Sequence, residues 1–293
     1  MQPPFDLSVI LAEAADNPLV DLPLQAVERA CAGLSAEVLV VRPSGRPPVP
    51  SSRAIFVREL TSAEDALVPQ RWAEGIWAAQ APVFACLTTE LLVHSEWARV
   101  LLDALGTGAV GAAGAIGLAP RAGVVAAAVH LARFSAFLPG RGTGARAAGN
   151  IPGDSAAYRR PAVLTHPDLL AGGFWEAEFH RRFHADGSRL ILVGQTLSAF
   201  RSSVRLRTAL RVRARHGRDY GMTRVLQHGE PPARVMVAAP VVPLLLLVRI
   251  FRRAAGARSP AWGTIRALPA LLLLCGAWAW GEATGAWAAR SGR

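Results

Sequence analysis

The segments "DLSVILAEA" (residues 6–14) and "AEVLVVRPSG" (residues 36–45) decide the fold class of this chain. Each starts as an apolar, β-branched run and ends in polar or turn-prone residues, which is the pattern of a buried strand. Between them, "PLQAVERACAGL" (residues 23–34) has helical spacing. The three segments predict a β-α-β unit of a parallel sheet whose strands are buried on both faces.

The pattern continues outward from this unit. "SRAIFVREL" (52–60) predicts a third short strand, residues 66–80 predict a helix, and "APVFACL" (81–87) predicts a further strand. In "ACLTTELLVHSEW" (85–97) the apolar run breaks into two threonines and a glutamate before a helical pattern, for which Ser95 is a candidate N-cap and Gly106 a stop. No packing requirement in the sequence explains the polarity of this strand end.

The later half of the chain is less regular. Residues 123–138 have a helical period, the Gly-rich residues 139–153 predict a flexible loop, and residues 188–200 predict a strand. Residues 201–218 predict a strongly basic helix at the end of an α/β domain that covers residues 1–228.

The charge is unusual because the sequence has no lysine. Thirty-two arginines stand against 21 acidic residues, a net charge of +11. Such a chain is attracted to phosphates, on anionic lipids or on a nucleotide, although a solvated basic face is an equally good explanation. The arginine-rich helix has no interleaved aromatic side chains to stack on bases, so nucleic acid is not an expected partner. Three widely spaced cysteines predict neither a disulfide framework nor a metal knuckle.

Two apolar blocks, residues 235–250 and 267–280, follow in residues 229–293. The first is short for a membrane span and contains prolines, and an arginine-rich connector joins the two. Four tryptophans suit a membrane interface. We therefore expect a membrane-associated helical hairpin, re-entrant or interfacial rather than two true spans, with a buried core hairpin as the alternative.

Two motif matches are weak. "GTGAVG" (106–111) has the letters of a dinucleotide fingerprint, but the glycines follow a helix and precede an apolar run, the reverse of the required order. His180 and His184 are four residues apart, yet no third zinc ligand is indicated, and a solvated helix face is the expected setting. A P-loop, a GxSxG motif and a CxxC motif are all absent from the sequence.

The ordered series of segments resembles the family 2 glycosyltransferases. These enzymes have the GT-A fold, a mixed and mostly parallel sheet flanked by helices, and transfer a sugar from a nucleotide donor. The resemblance lies in residues 7–17, 36–45, 69–105, 152–163 and 172–192, and "RALPALLLLCGAWAWGEATGAW" (266–287) is similar to the tail of membrane-associated bacterial members. Each motif is incomplete, and the order carries the resemblance.

The resemblance implies a divalent cation, Mg²⁺ or Mn²⁺, held by an Asp-x-Asp signature. In this sequence the two positions are Thr88 and Glu90, so a single carboxylate remains. One carboxylate can help to hold Mg²⁺ when substrate phosphates supply further ligands, but with lower affinity.

The resemblance also implies a general base that deprotonates the acceptor hydroxyl. It falls on Glu176, whose alternative role is that of an ordinary solvated helix carboxylate. Candidate contacts to the donor and its diphosphate are set by position in the motifs: Glu13, Arg42, Arg71, Arg159, Arg160 and Arg182. Arg42 stands where the family has a carboxylate, and Asp16 is a second polar candidate beside Glu13.

Two functions follow as expectations. The first is an inverting, hexosyltransferase-type enzyme at the cytoplasmic membrane, with its catalytic domain on the cytoplasmic side and a lipid or cell-envelope polysaccharide as acceptor. The second is a binding or scaffold protein that kept the fold and lost turnover, pairing with an active glycosyltransferase at the membrane.

Overall fold

The computed structural model describes residues 4–14, 20–52, 54–140, 142, 144–257 and 261–291, with the backbone alone for 261–264 and 291. Asp16 lies outside the described residues. The chain divides into two compact units. Unit 1 comprises residues 1–119 and 139–201, and unit 2 comprises residues 120–138 and 202–293.

The strands of unit 1 are β1 (Leu7–Ala12), β2 (Ala36–Pro43), β3 (Phe56–Ser62), β4 (Val83–Thr88), β5 (Leu91–Val93), β6 (Gly111–Leu118), β7 (Ala145–Ala148), β8 (Ala156–Arg159) and β9 (Leu190–Phe200). Its helices are α1 (Asp21–Ala30), α2 (Val68–Ala78), α3 (Trp97–Gly106), α5 (Arg160–Leu164), α6 (Pro167–Ala171) and α7 (Glu176–Ala185). Unit 2 contains α4 (Val124–Phe134), α8 (Leu206–Leu226), α9 (Pro232–Ala238), α10 (Val242–Ala255) and α11 (Ala261–Ser291).

Within the described residues, unit 1 is built on one nine-stranded sheet of order β3-β2-β1-β4-β8-β6-β9-β5, with β7 also paired to β9. The strands β1, β2, β3, β4, β6 and β9 run in one direction, and β5, β7 and β8 run in the other. The predicted class, a mixed and mostly parallel α/β sheet with helices around it, is confirmed.

The predicted β-α-β unit forms because β1 and β2 are mostly apolar, and the buried Ser8 hydroxyl of β1 donates to the Glu37 carboxylate of β2 at 2.7 Å. Every residue of both strands is buried, as expected for central parallel strands that are covered on both faces. Helix α2 approaches β1 closely at Gly75, where a Cβ would overlap the Ile10 side chain. A glycine in this helix therefore sets the helix–sheet distance.

Three local predictions differ from the structure. The predicted flexible loop contains β7, which pairs antiparallel with β9. The stretch after β4 contains β5, which also pairs with β9, before α3 begins. The N-cap of α3 is Glu96 and not Ser95, whose hydroxyl donates to the Glu96 carboxylate at 2.9 Å. Short strands of three or four residues carry too few side chains for a periodic signal.

Unit 2 is helical. Helices α4, α8, α10 and α11 share one apolar core, in which Leu131, Ala209, Ile250 and Leu271 are buried. The arginine-rich helix, predicted over residues 201–218, extends over Leu206–Leu226 and belongs to this unit. The division between units thus differs from the boundary predicted after residue 228, because α8 packs along α11.

In the described part of unit 2, one helix is long and apolar enough to cross a membrane, over Ile265–Arg290 of α11. The pair α9 and α10 passes the same criterion only when taken together, and its two helices are bent by 65°. Length and composition thus allow a membrane role for these helices.

Candidate active site

The carboxyl ends of β1 and β4 meet at a topological switch point of the sheet. From β1 the chain builds β2 and β3 on one side and then places β4 on the other. Ligands of open α/β sheets bind in the crevice that opens where the strand order reverses. Ala12 is in register with Thr88, so Glu13, the next residue after β1, and Thr88 lie at the same edge of neighbouring strands. The structure thus brings together two of the predicted site positions.

The residues that end β4 differ in their hydrogen bonding. The hydroxyl of Thr89 accepts a hydrogen bond from the Ala14 N–H at 3.0 Å. The backbone N–H of Thr89 donates to the Ala12 carbonyl at 3.1 Å. The Thr88 hydroxyl is buried and has no hydrogen-bond partner among the described residues. A buried polar group without a partner is costly. Thr88 is therefore a group that a bound ligand could satisfy.

The predicted base, Glu176, is the first residue of α7 and lies against Gly153. A Cβ on Gly153 would be 2.9 Å from the Glu176 carboxyl carbon. Burial raises the pKa of the Cys86 thiol in β4, and the negative charges of Asp154 and Glu176 raise it further. Both carboxylates therefore lie near Cys86. Cys86 and Thr88 face the same side of β4 because side chains alternate along a strand. Glu176 and Asp154 thus gather beside the carboxyl end of β4.

Asp154 is a residue that the sequence analysis assigned no role. It is 6% exposed and precedes Ser155, whose N–H donates to the Cys86 carbonyl at 2.7 Å. Ser155 has a φ of 61°, a left-handed conformation that costs energy in a residue other than glycine and is concentrated at functional sites. Its hydroxyl accepts the indole N–H of buried Trp97 at 2.9 Å. The sequence shows only that this carboxylate stands two residues before the short segment that forms β8.

A series of three hydrogen-bonded side chains, centred on the buried His180, lies one helical turn beyond Glu176. His180 Nδ1 is 3.1 Å from Asn150 Oδ1, and its Nε2 is 3.0 Å from the Tyr158 hydroxyl. The amide oxygen can only accept, so Nδ1 carries the proton and Nε2 accepts from Tyr158. Burial lowers the pKa of His180 to about 3. The solvated helix face predicted for the two histidines is wrong for His180, which anchors α7 to β8.

Glu13 and Arg71 meet at the end of β1. The buried Glu13 carboxylate accepts from Arg46 at 2.8 Å. Arg71 donates to the Glu13 carbonyl at 2.5 Å and to the Ser62 hydroxyl at 3.0 Å, and burial lowers the pKa of its guanidinium. Arg71 is 4% exposed, so it ties the ends of β1 and β3 together from inside the protein.

Arg42 is also held by the protein itself. Its guanidinium makes a two-pronged contact with Glu59, at 2.8 and 3.0 Å, and donates to the Pro47 carbonyl at 2.5 Å. Its side chain is 2% exposed. Arg42 thus fixes the segment after β2, and its donors point to protein acceptors and not to the crevice.

The structure places three of the predicted phosphate contacts away from this edge. Strand β8 runs antiparallel to β4, and Arg159 is in register with Val83, five residues or about 17 Å from Thr88. Arg159 donates to the Leu105 and Ala109 carbonyls, and Arg160 to that of Ile76. Arg182 lies about 9 Å along α7 from Glu176 and is 3.8 Å from Asp168. The sequence does not reveal the strand direction that moves Arg159 and Arg160 to the far edge.

The donor set for a divalent cation is small. Among the described residues, no three His, Cys, Asp or Glu side chains converge as metal ligands do. Thr88 is fully buried and Glu90 is 7% exposed. Glu90 would supply the one carboxylate, so these residues fit a cation only where a bound diphosphate completes its coordination.

A surface cavity of about 510 Å³ lies elsewhere in unit 1. It is lined by Phe5, by residues 34–36 and 51–52, and by residues 54–57. These positions are at the amino-terminal ends of β2 and β3. The cavity is at the edge of the sheet opposite to the switch point, so we do not place a donor there.

Comparison with known proteins gives a distant structural likeness. No family model matches the chain, and no curated protein matches it. Solved structures of S. aureus TarS residues 1–349, in complex with UDP and with UDP-GlcNAc, match with a TM-score of 0.47 and sequence identities of 11% and 10%. The matches cover 100% of this chain and 92% and 93% of those chains. A TM-score below 0.5 is too low to carry over a function.

Proposed function

We propose that the chain is a glycosyltransferase that transfers a sugar from a nucleotide-sugar donor, with inversion at the anomeric carbon. The observation that carries the proposal is the position of Glu176, whose carboxylate lies with that of Asp154 beside the carboxyl end of β4. The same edge is the switch point at which open α/β sheets bind nucleotides. The order of motifs in the sequence supports this chemistry, and the position of Glu176 near the carboxyl end of β4 supports its role as the base.

The reaction needs little covalent chemistry from the protein. Glu176 removes the proton of an acceptor hydroxyl while the oxygen attacks the anomeric carbon from the face opposite to the diphosphate. The new carbon–oxygen bond forms as the bond to the diphosphate oxygen breaks, and the nucleoside diphosphate leaves with that electron pair. The proton stays on Glu176 until water removes it. A Mg²⁺ or Mn²⁺ bound with the donor would neutralise charge on the leaving group.

The acceptor and the location are part of the proposal. A hexose donor, a membrane-proximal lipid or cell-envelope polysaccharide as acceptor, and attachment to the cytoplasmic membrane with unit 1 on the cytoplasmic side fit the apolar helices of unit 2. The chain would then bring its donor site to an acceptor that does not leave the membrane.

A donor-binding titration tests the first half of the proposal. Purified full-length protein is titrated with nucleotide sugars, with and without Mg²⁺ or Mn²⁺, and saturable binding that Glu90→Ala weakens is expected. The absence of binding to any nucleotide sugar would exclude a transferase.

The base is tested separately. Glu176→Gln should abolish transfer, with a loss of at least about a thousandfold, and leave donor affinity unchanged, because the amide keeps the shape and cannot accept the proton. Asp186→Asn, at the exposed end of the same helix, is the matched control and should keep full activity. Equal activity of Glu176→Gln and the wild type would remove Glu176 from the mechanism.

A second function, a binding or scaffold protein without turnover, is favoured by two observations. Only one carboxylate, Glu90, follows β4 at the predicted cation position, and Arg42 is occupied by Glu59. Such a protein would bind a nucleotide sugar or a partner glycosyltransferase and give no transfer product. Donor binding without turnover, insensitive to Glu176→Gln, is the result that identifies it.

A further inference from the structure

Helix α11 exposes one apolar stripe along almost its whole length. Leu272, Leu273, Trp280 and Trp287 are 46%, 52%, 71% and 53% exposed, and Ile265 continues the stripe. Arg266 and Arg290, both exposed, stand near its two ends. Soluble proteins rarely leave such a contiguous set of large apolar side chains in water.

Helices α9 and α10 of the same unit add further exposed apolar side chains. Val237, Val241, Leu244, Leu245 and Val248 are each 49% to 79% exposed. Exposed arginines, Arg249 and Arg252, follow them on α10. Apolar side chains next to arginine are the composition of helices that lie in the head-group region of a membrane.

Backbone contact joins α11 to α8. Gly217 and Gly221 of α8 face Trp278 and Glu282 of α11, and any Cβ at these glycines would overlap the facing backbone. Val225 packs with Ala286 and Ala289, and Ala209 packs with the apolar core around Leu271. The contacts advance in the same order along both helices, so α8 runs parallel to α11 over the middle of its candidate span.

This partner cannot enter a bilayer. Helix α8 exposes Arg207, Arg211, Arg215 and Arg218, which are spaced along one helix face. If α11 crossed a membrane, these four arginines would lie at the depth of the hydrocarbon, where charged side chains are rare and costly. The α8–α11 pair therefore excludes a spanning position for α11 and permits one in the plane of the interface.

The charge of the chain is concentrated in the same unit. Unit 2 has 17 arginines and three acidic residues, a net charge of +14, whereas unit 1 has 15 arginines and 18 acidic residues, a net charge of −3. The basic balance of the whole chain is thus a property of the helical unit alone. A surface with this charge is complementary to anionic lipid.

We propose that unit 2 is a monotopic membrane-binding module, which inserts the apolar stripe of α11 and the apolar side chains of α9 and α10 into one leaflet of an anionic bilayer and does not cross it. This insertion deepens the membrane attachment that the proposed function includes. It requires no transferase chemistry, so loss of vesicle binding with retained transfer would separate its failure from that of the transferase.

Vesicle binding tests the surface. Full-length protein is mixed with vesicles of phosphatidylcholine alone and with vesicles that also contain phosphatidylglycerol, and binding is expected to the anionic vesicles. Trp280→Glu/Trp287→Glu should lower the partition coefficient at least about tenfold, because both rings lose an apolar environment. Trp77→Glu is the matched control, since Trp77 is 51% exposed in unit 1, and should bind like the wild type.

Labelling of cysteines tests the topology. The three native cysteines are buried, so Arg266→Cys and Arg290→Cys each add one accessible thiol near an end of α11. In sealed inverted membrane vesicles from expressing cells, both variants should react with an impermeant maleimide without detergent. Protection of one thiol until detergent is added, with the other thiol reactive, would show that α11 crosses the membrane and would overturn the proposal.

Three results of the vesicle experiment would also overturn it: no binding to anionic vesicles, equal loss of binding in Trp77→Glu, or unchanged binding in the double tryptophan variant. Competition with RNA adds one more. If RNA removes the protein from the vesicles as readily in the double variant as in the wild type, unit 2 is a nucleic-acid-binding unit. Circular dichroism confirms that each variant is folded.

Discussion

At the scale of single residues, the site is a set of groups that the fold holds in unfavourable states. Thr88 has a buried hydroxyl without a partner among the described residues, Ser155 has a left-handed backbone, and the thiol of Cys86 lies beside two carboxylates. Proteins tolerate such features chiefly where they serve a ligand or a reaction. Their concentration at one end of β4 is the residue-level reason for placing the site there.

We predict opposite effects for valine at the two neighbouring threonines. Thr88→Val removes an unsatisfied buried hydroxyl and should raise the free energy of unfolding by about 1 kcal/mol while weakening donor binding. Thr89→Val removes the hydrogen-bond acceptor of the Ala14 N–H and should lower the free energy of unfolding by about 1 to 2 kcal/mol. Chemical denaturation measures both values. A destabilised Thr88→Val would show that its hydroxyl is already satisfied in the folded protein.

We predict that His180 makes unit 1 sensitive to acid. Its folded-state pKa of about 3 lies below the value of about 6.5 expected in the unfolded chain. Between these values the unfolded chain binds the extra proton, so the contribution of His180 is complete above about pH 6.5 and is lost as the pH falls. The loss between pH 7 and pH 5 is about 2 kcal/mol.

His180→Gln should therefore flatten the dependence of the unfolding free energy on pH over this window, although it also lowers stability at pH 7. The matched control is His94→Gln, because His94 is exposed in the same unit. An unchanged slope in His180→Gln would mean that this histidine binds protons equally in the folded and the unfolded state.

At the scale of elements, two contacts decide what the helices can do. Helix α7 begins at Glu176 and is held by the hydrogen bond between His180 and Tyr158 of β8, so the position of the proposed base depends on a strand that pairs with β4. Helices α8 and α11 meet through four glycines, two on each helix, spaced four residues apart. Glu282 within the apolar α11 is paired with Arg224 of α8, which also contacts Glu230 at 2.5 Å.

We predict that alanine at two glycines of α11 has opposite effects. A methyl group at Gly281 would overlap the Ala214 carbonyl of α8, so Gly281→Ala should destabilise unit 2 by about 3 kcal/mol. At Gly276 no heavy atom lies within 4 Å of the added carbon, so Gly276→Ala should stabilise the helix by up to about 1 kcal/mol. Thermal unfolding followed by circular dichroism compares them. Equal melting temperatures would contradict the close approach of α8 and α11.

At the scale of the whole molecule, charge and hydrophobic exposure coincide. The unit with a net charge of +14 is the unit that exposes the apolar stripe of α11, and the unit with the candidate site is close to neutral. The net charge of +11 for the whole chain does not show that the two units differ in charge. Two physical contributions, burial of apolar area and attraction to anionic lipid, therefore act in the same helices.

We predict that salt separates these contributions. Raising the ionic strength from about 0.05 M to about 0.5 M shortens the screening length to a few ångströms and should weaken binding to anionic vesicles strongly. Arg207→Gln/Arg211→Gln should reduce both the binding and its salt dependence, by roughly fivefold per arginine at low salt. Arg29→Gln/Arg99→Gln, with both arginines exposed in unit 1, is the control of equal charge. Identical salt curves for the two double variants would remove α8 from the membrane contact.

The sequence by itself determined the parallel half of the sheet, the existence of a helix that contains Glu176 and the apolar character of the C-terminal helices. These features depend on the local periodicity of apolar residues, which a single chain displays directly. The same information placed Thr88, Glu90 and Glu13 at strand ends, and parallel pairing then makes those ends neighbours.

Only the tertiary structure decided which of the candidate residues meet. The antiparallel direction of β8 brings Asp154 to the end of β4 and carries Arg159 to the far edge, and the pairing of α8 with α11 joins residues about 60 positions apart. Strand direction and helix partners depend on contacts between distant segments, which leave no periodic trace in the sequence. The arginines illustrate the difference: their number is a property of the sequence, but burial and partner choice make Arg42 and Arg71 structural and leave Arg207 and Arg211 exposed on α8.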